Sequence, residues 1–128
     1  MAEALLKDKC KQHSNIKIES AGLGALVGHG ADDAAQSLMK AKGVDISEHR
    51  ARQLNSNLLN EFDLVLVMET GHIDAIHQMS PSSKGRVHLL GKWSDFEIPD
   101  PYKQSQRAFE VALELIERGI DEWMERLN

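Results

Sequence analysis

Residues 97–105 read EIPDPYKQS and set one carboxylate, Asp100, between Pro99 and Pro101, with the ring of Tyr102 two positions on. Each proline locks its own φ and restricts the residue before it, so the backbone around Asp100 has few conformations open to it. A carboxylate aimed that firmly suits a group that gives a proton and later takes one back, as phosphoryl or acyl transfer requires. The same residues also fit an ordinary Asp-Pro surface turn, and spacing does not separate the two. A proton donor needs a nucleophile, and Cys10 is the only cysteine in the chain. It falls well along a helical stretch, where a buried or half-buried structural thiol is the expected state. His72 and His77 stand five apart, off the i, i+4 spacing that turns two helical imidazoles toward one metal. The glycines of GLGALVGHG precede no helix at dinucleotide-binding spacing and read as a loop at the rim of a site. No metal or organic cofactor is expected.

Length and composition narrow the setting. At 128 residues the chain can bury one hydrophobic core but not two, so a single domain over 1–128 is expected. With 41% apolar and 27% charged residues it fits a globular protein rather than a disordered or fibrous one. A formal charge of −5 disfavours nucleic acid or an anionic membrane surface as partner. A small anion answers to local donors, not to that sum. No apolar run reaches membrane-spanning length, and MAEALLKDKC lacks the basic start and apolar middle of a secretory signal. A lone cysteine forms no internal disulfide, which agrees with a reducing compartment, and a cytoplasmic location is expected.

The elements that must hold Asp100 alternate in kind. Helical spacing runs through Leu5 and Leu6, DDAAQSLMKAKG, ETGHIDAIHQM, and Phe109, Leu113, Ile116, Ile120, Trp123 and Leu127. Strand-like runs, IKIES, FDLVLVM and RVHLL, lie between them, and the middle one is apolar enough for a strand covered on both faces. Without hairpin turns between strands, the pattern predicts an α/β fold: a parallel sheet with helices on both faces. Asp32 or Asp33 suits one helix start, Gly43 a stop, Thr70 another start, and Pro81 the end of that helix. The first residues already follow helical spacing with no capping residue before them, so the chain reads as beginning inside an element.

Taken in order, IKIESAGLGALVGHGAD, HRARQLN, FDLVLVMETGHI, VHLLGKW and IPDPYKQS resemble the low-molecular-weight protein-tyrosine phosphatases, most closely the bacterial kind linked to exopolysaccharide export. The resemblance implies a flavodoxin-like three-layer sandwich and hydrolysis of phosphotyrosine through a cysteinyl-phosphate intermediate. Its implied partner is a phosphotyrosine protein, a tyrosine autokinase of polysaccharide export. That family attacks phosphorus with the thiolate of a C-x5-R-[ST] loop whose backbone N–H groups and arginine cradle the phosphate. The loop ends just before a segment resembling MAEALL, and the residue six positions after Cys10 is Ile16, not arginine. The resemblance therefore implies an N-terminally truncated domain, lacking the first strand, the nucleophile and the phosphate-binding arginine, and inactive by itself. In the family that strand lies inside the sheet, between the counterparts of IKIES and FDLVLVM, so poor folding alone is also expected.

By the same resemblance Asp100 is the general acid and then the general base. Tyr102 is a wall for the substrate ring, and Leu26 falls near the facing wall, where other members carry an aromatic. Ser20 and His49 hydrogen-bond the phosphate loop and hold it open, and Arg52 forms a structural ion pair. Two alternatives stand beside this reading. An arsenate reductase on the same fold relays oxidation along several cysteines, which a chain with Cys10 alone does not provide. A non-catalytic remnant or binding module would touch its kinase through the rim at Leu26 and Tyr102.

Overall fold

The most continuously apolar run becomes strand β1, Val65–Val67, and RVHLL yields β2, Val87–Leu89. They pair in parallel, with Val65 opposite Val87 and Val67 opposite Leu89, and helix α4, Thr70–Met79, lies on the crossover between them. The computed structural model describes residues 1–11, 15–24 and 26–127. Alternation along β1 sends Leu64, Leu66 and Met68 to one face, and Val65 and Val67 to the other. The first face packs against α1 (Ala2–Lys9), α2 (Asp33–Ala41) and α5 (Gln106–Leu127), where Leu5, Met39, Leu113, Ile116 and Ile120 are buried. On the second face Val67 and Val87 meet Ile76 of α4 and Leu59 at the end of α3 (Ser56–Leu59). Helices thus cover both sides of a parallel sheet, as the alternating sequence predicts.

The long apolar stripe of α5 is buried from Phe109 to Trp123, while Leu127, its last member, lies in solvent. Gly119 sits where α5 crosses the chain just after β2: a Cβ there would stand 2.9 Å from the carbonyl oxygen of Leu90. Trp123 fixes the same crossing by donating its indole N–H to the carbonyl of Leu89 at 3.1 Å.

Helix ends follow the sequence with one exception. Asp32 caps α2 by accepting the amide of Ala34 at 2.9 Å, and Gly43, at φ +79°, turns the chain away from it. Met79 ends α4 and Pro81 begins a short 3-10 turn. The start of α4 differs from expectation, because Glu69, not Thr70, is the cap. Glu69 has extended backbone (φ −132°, ψ 152°), its side chain accepts the amide of His72, and the Nδ1 of His72 accepts the amide of Glu69.

A second difference concerns IKIES. Residues 16–20 run without regular structure and join no ladder among the described residues; the parallel bridge on that side comes later, between Gly22 and Gln53. Side chains tether the segment instead, Arg52 donating to the carbonyl of Ser20 at 2.9 Å and pairing with Glu19 at 2.8 Å. A strand exists only where a neighbour shares its N–H and C=O groups, and neither β1 nor β2 bonds to this one.

Candidate active site

In open parallel α/β sheets the carboxyl ends of the strands face the ligand crevice. Here Met68 and Glu69, directly after the end of β1, form one wall of a cavity of about 610 Å³. The first turn of α1 forms another wall, Ser20 with Asp45, Ile46, Glu48 and His49 a third, and residues 98–101 with Ala112 and Ile116 close it. Asp100, Ser20 and His49, three residues singled out in the sequence, therefore meet around one space.

Asp100 is exposed at the edge of that space, and its Oδ1 accepts the amide of Tyr102 at 3.0 Å, an Asx turn that closes the loop on its far side. The side-chain amide of Gln104 donates to the carbonyl of Asp100 at 3.3 Å, and Lys103 turns the chain with φ +62°. On the near side, the buried Ile98 donates its amide to the carbonyl of Met68 at 2.9 Å. The loop of Asp100 is in this way attached to the residue that follows β1.

Ser20 is held by a residue that the sequence did not mark, and His49 lies nearby on the same wall. The hydroxyl of Ser20 donates to Glu3 at 2.5 Å, and Glu3 also accepts from Lys7 at 2.9 Å, one turn further along α1. Burial is the largest single influence on Glu3 and opposes its ionisation. The bonds from Ser20 and Lys7, with the nearby charges of Lys7 and His49, outweigh it and hold the carboxyl below its usual range. The i, i+4 pairing of Glu3 with Lys7 is legible in the sequence. Its bond to Ser20, across seventeen positions, is not. Glu69 and His72 also line the cavity; His72, set aside as a metal ligand, serves the cap of α4.

Leu26 and Tyr102 do not line the cavity, and both are about half exposed, at 49% and 48%. The loop of Leu26 is joined to the segment after His49, with the amide of Gly28 donating to Ala51 and that of Ala51 to His29, each at 2.8 Å. Tyr102 has Lys103 Nζ 5.5 Å from its ring centre. Arg52 forms the expected ion pair, with Glu19. Cys10, at the C-terminal end of α1, is buried with its S–H directed to the sulfur of Met124 at 3.7 Å and takes no part in the cavity.

The charge of the cavity wall has a clear sign. Glu3, Asp45, Glu48, Glu69 and Asp100 face it, against Lys7 and the imidazoles of His49 and His72. That wall can supply and accept protons; it does not by itself attract an anion.

A layered parallel sheet with a cavity at the carboxyl end of its first strand is the architecture of an α/β enzyme. All of residues 1–128 match the family described as low molecular weight phosphotyrosine protein phosphatase, and the chain belongs to that family. It is 46% identical over 128 residues to the low molecular weight protein-tyrosine-phosphatase Wzb of Salmonella typhimurium, covering 99% of this chain and 84% of the relative. Against the probable low molecular weight protein-tyrosine-phosphatase EpsP of Ralstonia nicotianae, identity is 43% over 128 residues, covering 100% and 86%. Among solved structures, Wzb of Escherichia coli K30 in complex with sulphate superposes with a TM-score of 0.91 at 38% identity, covering 99% of this chain and 87% of the other. Vibrio vulnificus Wzb in complex with benzylphosphonate gives 0.90 at 37%, covering 98% and 87%.

Proposed function

We propose that this chain forms the scaffold and proton-transfer half of a phosphatase acting on phosphotyrosine in proteins, with Asp100 as general acid and base. The observation that carries the proposal is the meeting of Asp100, Ser20 and His49 around one cavity at the end of β1. A thiolate attacks phosphorus, the bond to the tyrosyl oxygen breaks, and Asp100 gives that oxygen its proton. The resulting carboxylate then takes a proton from water, whose oxygen attacks phosphorus; the P–S bond breaks, and phosphate and thiolate are released.

The one cysteine of the sequence, Cys10, is buried away from the cavity, and carboxylates outnumber cations on the described cavity wall, so the thiolate and the anion donors need another source. We assign both to a strand and C-x5-R loop of the family type, adjoining α1, with Ser20 and His49 supporting that loop. The carboxylate-rich wall supports the assignment, since a phosphate dianion facing it requires compensating N–H and guanidinium donors. Leu26 and Tyr102 form the outer rim that meets the protein around the phosphotyrosine, and the substrate we favour is a tyrosine autokinase of polysaccharide export, in the cytoplasm.

The test joins the strand and phosphate loop of a family member to the N-terminus of this chain. The joined protein is expected to hydrolyse a phosphotyrosine peptide, the chain alone to show no turnover, and Asp100→Asn in the joined protein to lose about a hundredfold or more. Full activity of the Asp100→Asn form would refute the role given to Asp100.

A further inference from the structure

An α-helix leaves its first amides without partners inside the helix and carries partial positive charge at that end. Helix α4 meets this need in two ways. Glu69 and His72 cap each other locally, and the amide of Thr70 donates to the carboxylate of Glu97 at 3.0 Å, twenty-seven positions away. The helix needed no partner from so far along the chain to begin. Glu97 stands three residues before Asp100, and its neighbour Ile98 is bonded to Met68, two residues before Thr70. The start of the acid loop is thus attached twice, to points on either side of Glu69: by a backbone bond to Met68 and by a charge-assisted bond to Thr70.

We propose that Glu97 is a positioning residue for Asp100. One hydrogen bond leaves a segment free to swing about it; a second, made by the adjacent residue to the next element, removes that freedom. Beyond this clamp the prolines at 99 and 101 restrict the backbone, and the Asx turn from Tyr102 to Asp100 closes the far side. The direction of the Asp100 carboxylate is then set by rigid links that begin at the N-terminus of α4. Glu97 does not touch the substrate; it acts through the loop, and the inference rests on Asp100 being the acid.

Two variants and two measurements test it. Glu97→Gln keeps an acceptor and loses the charge; Glu97→Ala loses both. In the joined protein, amide exchange at Thr70 and Ile98 is expected to quicken about two- to fivefold in Glu97→Ala and less in Glu97→Gln, with Val67 unaffected. In the phosphatase-competent joined protein, kcat/KM is compared for a phosphotyrosine peptide, whose leaving oxygen needs a proton, and for p-nitrophenyl phosphate, whose leaving group departs with little acid help. Glu97→Ala is expected to lose about two- to fivefold on the peptide and to keep its rate on the nitrophenyl ester. Equal loss on both substrates, or unchanged exchange at Thr70 and Ile98, would overturn the clamp. If Asp100→Asn itself slows both substrates alike, Asp100 is not the acid and the clamp falls with it; if Asp100→Asn discriminates and Glu97→Ala does not, the clamp alone falls.

Discussion

Replacing Gly119 with alanine sets two effects of opposite sign against each other. Helix propensity favours alanine in the interior of α5 by about 0.8 to 1 kcal/mol. Packing opposes it, because the added methyl would lie 2.8 Å from Leu90 Cγ, 2.9 Å from the Leu90 oxygen and 3.2 Å from its carbonyl carbon. Carbon atoms in contact settle at roughly 3.5 to 4 Å. The Leu90 side chain can turn aside, but its carbonyl cannot, since the amide of the same residue is bonded to Val67 at 2.8 Å and the residue is buried. Relief requires α5 to lift from the sheet, which loosens Leu113, Ile116, Ile120 and Trp123 together. Overpacking of this kind costs about 1 to 3 kcal/mol, and a backbone clash belongs in the upper part of that range. A net loss of about 1 to 2 kcal/mol is expected, equivalent to a fall in Tm of about 4 °C or more. Gly71 supplies the contrast: it lies in the first turn of α4 with open space where a Cβ would stand, so Gly71→Ala is expected to be neutral or slightly stabilising. Urea denaturation of the joined protein, followed by circular dichroism, reads both variants. A Gly119→Ala midpoint equal to or above that of the parent would refute the packing argument.

Two further outcomes follow from the site's supports. The Glu3 carboxyl is held below the 4.5 of an unperturbed glutamate, so the folded state binds fewer protons than the unfolded one as that pH is approached from above. The stabilisation is complete above about pH 4.5 and is lost as pH falls through the lower folded value, so the urea midpoint of the parent should exceed that of Glu3→Gln at about pH 6, with the gap narrowing by about pH 3.5; a gap that widens on acidification would contradict it. Arg52→Met removes the bonds to Ser20 and Glu19 and is expected to cost about 1 kcal/mol while speeding tryptic cleavage after Lys17; unchanged cleavage would show that the ties do not hold residues 16–20.

Legibility in the sequence followed the range of the interactions. The stripe of α5 and the apolar run of β1 record which side of each element is covered, and that is a local property, so both were readable. Residues 16–20 carry strand-like composition, but pairing is decided by a neighbour, and among the described residues they have none in a ladder. The start of α4 misled for a different reason: threonine is the commoner cap, whereas here Glu69 works with His72, where glutamate or glutamine usually completes the box. Asp100 was visible because two prolines announce it. Glu3 and Glu97 were not, because nothing local distinguishes a glutamate that reaches Ser20 or Thr70 from one that faces water.

The charge distribution also constrains how such a site can cycle. At an effective dielectric of about 20, two like unit charges 5 Å apart cost roughly 3 kcal/mol. Under the proposed assignment, a phosphate dianion entering beside Asp100 would meet that repulsion when the carboxylate is ionised and escape it when the group carries a proton. The protonated acid is therefore both the form that assists departure of the tyrosyl oxygen and the form that tolerates the substrate. Once the proton has gone, the carboxylate faces phosphorus with its charge restored, and the same repulsion favours withdrawing a proton from the incoming water. This alternation requires a carboxylate that changes protonation without changing place. The clamp at Glu97, the flanking prolines and the Asx turn at Tyr102 keep it in place on a loop that is otherwise open to water.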